Sequence, residues 1–203
     1  MKTKFASIIA ALLLISGTLG ANNYTVSKEQ SEVKWTGKKV TGEHHGTITF
    51  KTGAVHTNNK QITGGTFEID MNTIVCLDLP AGEMNGKLVG HLKSDDFFSV
   101  ASHPVSKLAL TTVKKLKGNE YQFNGNLTIK GITHPVSFTA TVDLAGESLK
   151  ASGQLTVNRA KYDIRYGSGS FFSNLGDKMI YDDFTLDFNV VAHAKSGNPT
   201  ARN

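Results

Sequence analysis

Few residues in this 203-residue chain have the types and spacing to do chemistry, and each such set has a plain structural reading beside it. His44-His45 is the one adjacent histidine pair; with His91, His103 or His134 it offers imidazoles that suit zinc or copper. Neighbouring strand residues face opposite ways, so the pair does not converge on one ion unaided, and no His-x-His or carboxylate spacing accompanies it. A polar-rim pair whose His44 or His45 touches a ligand headgroup fits better. Asp95-Asp96 and Asp182-Asp183 are carboxylate pairs, able to divide acid and base duties or to bind calcium. Neither has calcium-loop spacing; a helix cap explains the first and a hairpin edge the second. Arg159, with Tyr162, Arg165 and Tyr166 close behind, has two readings. It holds a ligand oxygen or anionic headgroup, or it binds backbone carbonyls in an irregular loop. Cys76 is the only cysteine, which rules out an internal disulfide. It reads as a small apolar filler, with a reactive thiol or an intermolecular bridge as alternatives. Gly167-Ser168-Gly169-Ser170 lacks the strand and helix of a nucleophile turn, and no phosphate loop or dinucleotide fingerprint is present. Catalysis has thin support; its best form is a small exported metal-dependent enzyme using the His44/His45 region.

The elements around these residues carry more information. Tyr121, Phe123, Leu127 and Ile129 alternate with polar residues, as do Val136, Phe138, Ala140, Val142 and Leu144, and again Phe184, Leu186, Phe188 and Val190. Period-two alternation marks strands with one dry face. Many such strands separated by turn residues predict a sheet that curls to shelter that face, large enough when closed to hold a ligand. Earlier strands are expected at Val33-Trp35, ending in a turn at Thr36-Gly37-Lys38; at Ile48 and Phe50, closed by Thr52-Gly53; and from Ile62 through Met71, after a turn at Asn58-Asn59-Lys60. Alternation stops over residues 72–100. There Met84, Leu88 and Leu92 recur at helical spacing, and Ser94-Asp95-Asp96 is placed to cap a short helix carrying Phe97 and Phe98. Strands resume at Val105, and Gly146-Glu147 is expected to turn into a further strand from Leu149 to Val157. Gly131 to Pro135 is expected as a hairpin connection, with Pro135 opening a strand, and residues 158–178 as an irregular Gly- and aromatic-rich segment.

Composition sets further bounds. Lys2 and Lys4, the apolar run from Phe5 to Ile15 and the small residues around Gly20 have the layout of a signal peptide over residues 1–20. The run falls well short of the ~20 residues that span a membrane. An exported, periplasmic or secreted single domain over residues 21–203 follows as the expectation, with its tail from Lys195 to Pro199 frayed. Removing Lys2 and Lys4 lowers the net charge from +5 to +3, and no basic block interleaves with aromatics, so nucleic acid is not an expected partner.

Four segments resemble the YceI-like proteins: Trp35 to Ile48 (WTGKKVTGEHHGTI), Gly90 to Phe98 (GHLKSDDFF) followed by His103-Pro104, Gly125 to Phe138 (GNLTIKGITHPVSF), and Asn158-Arg159. They keep the family's order across nearly the whole mature chain. The likeness implies an all-β fold, an extended antiparallel eight-stranded lipocalin-like barrel with a short helical insertion, of bacterial periplasmic type. It also implies a polyisoprenoid or isoprenoid-quinone chain held in a tubular apolar cavity. Two departures stand out: Gln30-Ser31 replaces the usual His-Ser before the first strand, and Gly167 to Phe172 adds an aromatic stretch, as in a subgroup.

Such a ligand is bound by removing apolar surface from water, at ~25 cal/mol per Å², and needs no catalytic residue, metal or cofactor. The residues expected to line the cavity are Trp35, Phe50, Phe67, Ile69, Leu110, Phe123, Leu127, Ile129, Phe138, Leu155, Leu186 and Phe188. Phe97-Phe98 and Phe171-Phe172 are expected as a gate or plug near its mouth, and Arg159 as a headgroup contact. Transient peripheral contact with a membrane and a homodimer are compatible with that role. The opposing expectation is a barrel packed shut by its own side chains, acting through its outer face.

Overall fold

A computed structural model describes residues 22–194. The expected signal peptide and the frayed tail lie outside this range. Nine strand segments appear: β1 (Asn22–Val26), β2 (Glu32–Lys39), β3 (Gly42–Asn58), β4 (Gln61–Cys76), β5 (Val105–Lys115), β6 (Glu120–Ile129), β7 (Ile132–Ala145), β8 (Ser148–Asn158) and β9 (Ile180–Ala194). One helix, α1 (Glu83–Lys93), joins β4 to β5. Alternation decides which way side chains point: in β6, Tyr121, Phe123, Leu127 and Ile129 are buried while Glu120, Asn126 and their like face outward. All ladders are antiparallel, and the pairing of β3 with both β2 and β4 closes the sheet on itself.

The nine segments fill eight barrel positions. β1 pairs with β3 at residues 54–57 and with β9 at residues 192–194; β2 pairs with the same two strands further along, Val33 lying between Ile48 and Phe188. β1 and β2 are thus one interrupted staircase in a single slot. Ser31 mends the break: its Oγ donates to Val191 O at 3.2 Å and accepts from Val191 N–H at 2.9 Å. The eight-stranded barrel expected from sequence is what the chain forms.

The barrel has two unlike ends. At the hairpin end, tight turns join β3 to β4, β5 to β6 and β7 to β8; Asn59 and Lys60, at φ 49° and 61°, form the first of them. The loop end carries the β2–β3 and β6–β7 turns, α1 with its flanking residues, and residues 159–179. Two ladders of the barrel do not run full length, while β8 and β9 pair continuously over residues 148–158 and 183–193. β4 and β5 pair only over residues 66–70 and 105–109, and β7 and β8 only over residues 140–145 and 148–153.

Several expected boundaries move. β2 continues through Thr36-Gly37-Lys38 to Lys39, and β3 runs straight through Thr52-Gly53, because in each case the ladder to a neighbouring strand outweighs the local turn propensity. β4 extends to Cys76, beyond the expected end of alternation. Ser94 caps the C-terminus of α1 and starts no second helix: its N–H and Oγ both donate to His91 O, and Phe97 and Phe98 sit in turns. Pro135 lies inside β7, opposite Asn126, where β8 has not yet joined the ladder and the missing N–H costs no bond on that side. Of the expected helical stripe, Leu92 is buried and Leu88 packs partly buried against the core, while Met84 is 68% exposed.

Candidate functional site

Inward residues of all eight positions surround a cavity of about 210 Å³. Its lining extends from Ile62 and Leu149 near the hairpin end to Leu92, Phe97, Phe98 and Ile129 at the loop end. A void of that size touching residues over such a length is a narrow tunnel, and the expectation of a solid core does not hold. The lining is almost wholly aliphatic and aromatic; Ser106, Lys107 and Arg159 are its polar members.

An aromatic wall runs down one side. Phe123 stacks on Phe138 at 5.4 Å, and Phe138 meets Phe188 edge-on at 5.7 Å. Phe138 is on β7 and Phe188 on β9, with β8 between them. Gly153 on β8 makes the contact possible, since a Cβ there would lie 2.9 Å from Phe188 Cζ and 2.7 Å from Thr139 O. At the loop end Phe97 packs edge-on against Phe98 at 5.1 Å, and Phe98 against Phe184 at 6.3 Å. There β9 bulges: Gly37 pairs with Phe184 but Lys39 pairs with Ile180, so residues 181–183 face Lys38 alone. Gly37, Ile180 and the half-exposed Tyr181 carry the lining out to the rim at this bulge.

Arg159 sits at the loop end of the tunnel, 2% exposed. It follows the last residue of β8, and Asn158 Oδ1 caps the short 3-10 turn that begins with it. Its Nε donates to Tyr181 O (3.2 Å), Nη1 to Ile164 O (2.9 Å) and Tyr166 O (2.8 Å), and Nη2 to Ile180 O (3.0 Å). Asp182 Oδ1 lies 3.4 Å from Nη2, and the guanidinium rests over Phe97 at 5.4 Å. Burial pulls the Arg159 pKa below its usual value, and the Asp182 charge pushes back. Of the two readings of Arg159, backbone binding is the one the geometry displays: four of its five N–H donors are spent on carbonyls of residues 164–181, and the remaining one, on Nη2, is on the nitrogen that pairs with Asp182.

That segment is held tightly. Ser168 is fully buried, its Oγ accepts from Ser170 N–H, and its carbonyl accepts from Phe171 and Phe172 N–H. The Gly-Ser-Gly-Ser run is therefore a pinned turn. Phe171 and Phe172, expected at the cavity mouth, are 41% and 50% exposed and do not line the tunnel. Phe171 instead lies under the Arg165 guanidinium at 5.1 Å, on the outer surface of the loop end. Every other expected lining residue, Trp35 through Phe188, faces the tunnel. Sequence reasoning missed Val33, Ile48, Val55, Ile62, Val142, Leu149 and Val190, which the same alternation marks.

The polar sets resolve separately. Asp95 accepts from Ser99 Oγ, Asp182 from Ser170 Oγ, and Asp183 from Asn158 Nδ2. His91 stands edge-on to Tyr166 at 4.3 Å with Nε2 buried and unpaired, while His134 packs edge-on against Tyr162, so neither joins the His44 pair. As expected, His44 and His45 diverge. The His44 ring meets Asp78 at 2.7 Å, while His45 contributes its backbone N–H to the same carboxylate at 2.8 Å. Cys76 Sγ donates to Asp78 Oδ1 at 3.2 Å. Burial pushes the Cys76 thiol up, and Asp78 adds to that. Burial opposes the Asp78 charge too, but the His45 N–H, the His44 ring and the Cys76 thiol hold its carboxyl well below the usual range.

The YceI-like domain model matches residues 24–192. The chain belongs to the YceI-like family. Among curated relatives, the UPF0312 protein plu2095 of Photorhabdus laumondii is 35% identical over 102 residues, about half of each chain. Protein YceI of Salmonella arizonae is 28% identical over 142 residues, 65% of this chain and 68% of that one. Solved structures share the fold at lower identity. Burkholderia cenocepacia BcnA aligns with a TM-score of 0.66 at 20% identity, covering 82% of this chain and 98% of that one. A polyisoprenoid binding domain from Saccharophagus degradans aligns at 0.60 and 15% identity, covering 85% and 98%. This YceI-like barrel has the closed antiparallel architecture that the resemblance implied.

Proposed function

We propose that the barrel takes up one long, linear, uncharged lipid chain, an isoprenoid lipid or isoprenoid quinone, and carries or shelters it without catalysis. The observation that carries this reading is the tunnel: narrow, walled by aliphatic and aromatic side chains, and running from one end of the barrel to the other. Such a void matches a flexible chain of small cross-section better than a compact polar substrate. Each 100 Å² of chain removed from water contributes about 2.5 kcal/mol, so a chain threaded along the tunnel outweighs the cost of association. The Saccharophagus degradans structure, described as a polyisoprenoid binding domain, supports the same ligand class.

The signal-peptide layout of residues 1–20 supports an exported location. Exchange with a membrane belongs at the loop end, where Tyr166, Phe171, Phe172 and Tyr181 are exposed beside the rim of the tunnel. Solvent extraction of protein purified from a native-like host, followed by mass spectrometry, tests the reading. A stoichiometric isoprenoid is the expected result, and protein that returns no long-chain lipid refutes it.

A further inference from the structure

Outside the tunnel, at the loop end, three donors of different kinds converge. Cys76 ends β4 and Asp78 follows two residues later, so both side chains leave on the same side. Gly46 pairs with Cys76, and continuing that antiparallel register sets His44 across from Asp78. The extension is held by Leu77 N–H to His45 O at 2.9 Å and His45 N–H to Asp78 Oδ1 at 2.8 Å. Only glycine at position 46 permits this approach, because a Cβ there would lie 1.8 Å from Val75 O. His44 Nδ1, Cys76 Sγ and an Asp78 carboxylate oxygen all lie within 4.8 Å of one another.

We propose that His44, Cys76 and Asp78 form a binding site for a borderline divalent transition-metal ion, zinc above all, with the fourth tetrahedral position left to water. The donor set selects the ion. A thiolate disfavours magnesium and calcium, while imidazole and carboxylate beside it suit zinc. Bond lengths near 2.1 Å place tetrahedral donors roughly 3.4 Å apart. The His44–Asp78 Oδ2 contact at 2.7 Å and the Cys76–Asp78 Oδ1 contact at 3.2 Å both lie inside that separation, so the donors would spread slightly to seat an ion in place of the hydrogens now shared there. The surroundings are those of a built site: the Cys76 residue is 6% exposed, and the His44 and Asp78 side chains are 31% and 19% exposed. The His45 N–H already fixes the carboxylate from behind, as an outer-shell donor does in metal sites. An ion here would staple β3 to the chain leading into α1, since Asn85 Nδ2 anchors that helix to Cys76 O and Leu79 O. The site is separate from the tunnel and does not rest on the lipid reading.

The test is uptake by the whole mature protein after chelator stripping. Dialysis against zinc followed by elemental analysis should give one ion per chain, and cobalt in its place should give a thiolate-to-cobalt charge-transfer band. Cys76→Ser should abolish the band and weaken zinc binding at least ~10-fold, and His44→Gln should weaken it similarly. His56→Gln, at the other end of β3 where His56 bonds Asn23, should change neither. A second readout needs no variant: over a reaction time long enough to alkylate Cys76 in the metal-free native protein, zinc should protect it. Substoichiometric zinc, a cobalt spectrum indifferent to Cys76→Ser, or equal alkylation with and without zinc overturns the proposal.

Discussion

Arg159 shows how one residue can be legible while its role is not. Its place after an alternating strand, close to Tyr162 and Tyr166, singles it out in the sequence. What it touches depends on how residues 163–181 fold back, which no local pattern specifies. In the structure it satisfies four carbonyls and faces Asp182 in a nearly dry site. Replacing it with Met would strand those carbonyls and leave the Asp182 carboxylate, only 15% exposed, without its cation. Arg159→Met should therefore cost about 3–5 kcal/mol in chemical denaturation. Arg159→Lys, which keeps the charge but lacks the planar fork, should recover only part of that loss. The convergence of Cys76 with His44 and Asp78 was illegible for a related reason: the three are more than thirty residues apart at the extremes, and only the β3–β4 register joins them. Phe171 and Phe172 mark the opposite failure, where a hydrophobic pair reads as lining but is displayed outward on a pinned turn.

At the scale of elements, alternation located every long strand, because burying one face is the strongest constraint a barrel imposes. It misplaced turns where a ladder overrides a Gly, and it passed over β1, whose Asn22 and Asn23 carry no hydrophobic signal. The turn between β3 and β4 was legible and is also imperfect. Lys60 occupies φ 61°, which costs a non-glycine residue about 1 kcal/mol. Lys60→Gly should raise stability by roughly that amount, read as a higher denaturation midpoint with an unchanged slope. The short β4–β5 ladder offers a pH test. Glu68 lies opposite Lys107 at 2.8 Å, and the hydrogen bond from Lys107 holds the Glu68 carboxyl below its ordinary value. A lowered folded-state pKa stabilises the protein fully above the unfolded value of about 4.3, and that contribution is lost as pH falls below it and through the lower folded-state value. Lys107→Gln should flatten this part of the acid limb by less than about 1 kcal/mol, since the pair is partly exposed. An acid transition identical in both proteins would show that the pair contributes nothing.

For the molecule as a whole, the sequence made a closed sheet readable but left open whether its inside was full or hollow. Alternation tells which side chains point inward; whether they meet depends on the barrel's girth and on residues such as Gly153 that let Phe188 lean across a strand. On the proposed lipid-carrying role, the tunnel that results couples lipid binding to stability. A ligand that binds only the folded barrel adds RT ln(1 + [L]/Kd), about 2.7 kcal/mol at a hundredfold excess over Kd. In a domain of this size each kcal/mol moves the melting temperature by about 2–4 °C. Protein stripped of lipid should then melt about 5–11 °C below the loaded form, and re-adding a long isoprenoid should restore the difference. Phe138→Asp places a charge in the middle of the aromatic wall, where a carboxylate has no partner and an apolar chain must pass. That variant should lose the lipid-dependent shift entirely, with circular dichroism showing whether the barrel persists. Ala151→Trp separates blocking from unfolding, because it fills tunnel space with apolar volume instead of charge. It should keep the fold and lose the shift with long chains first. A lipid-dependent shift that survives both changes would place the ligand outside the barrel.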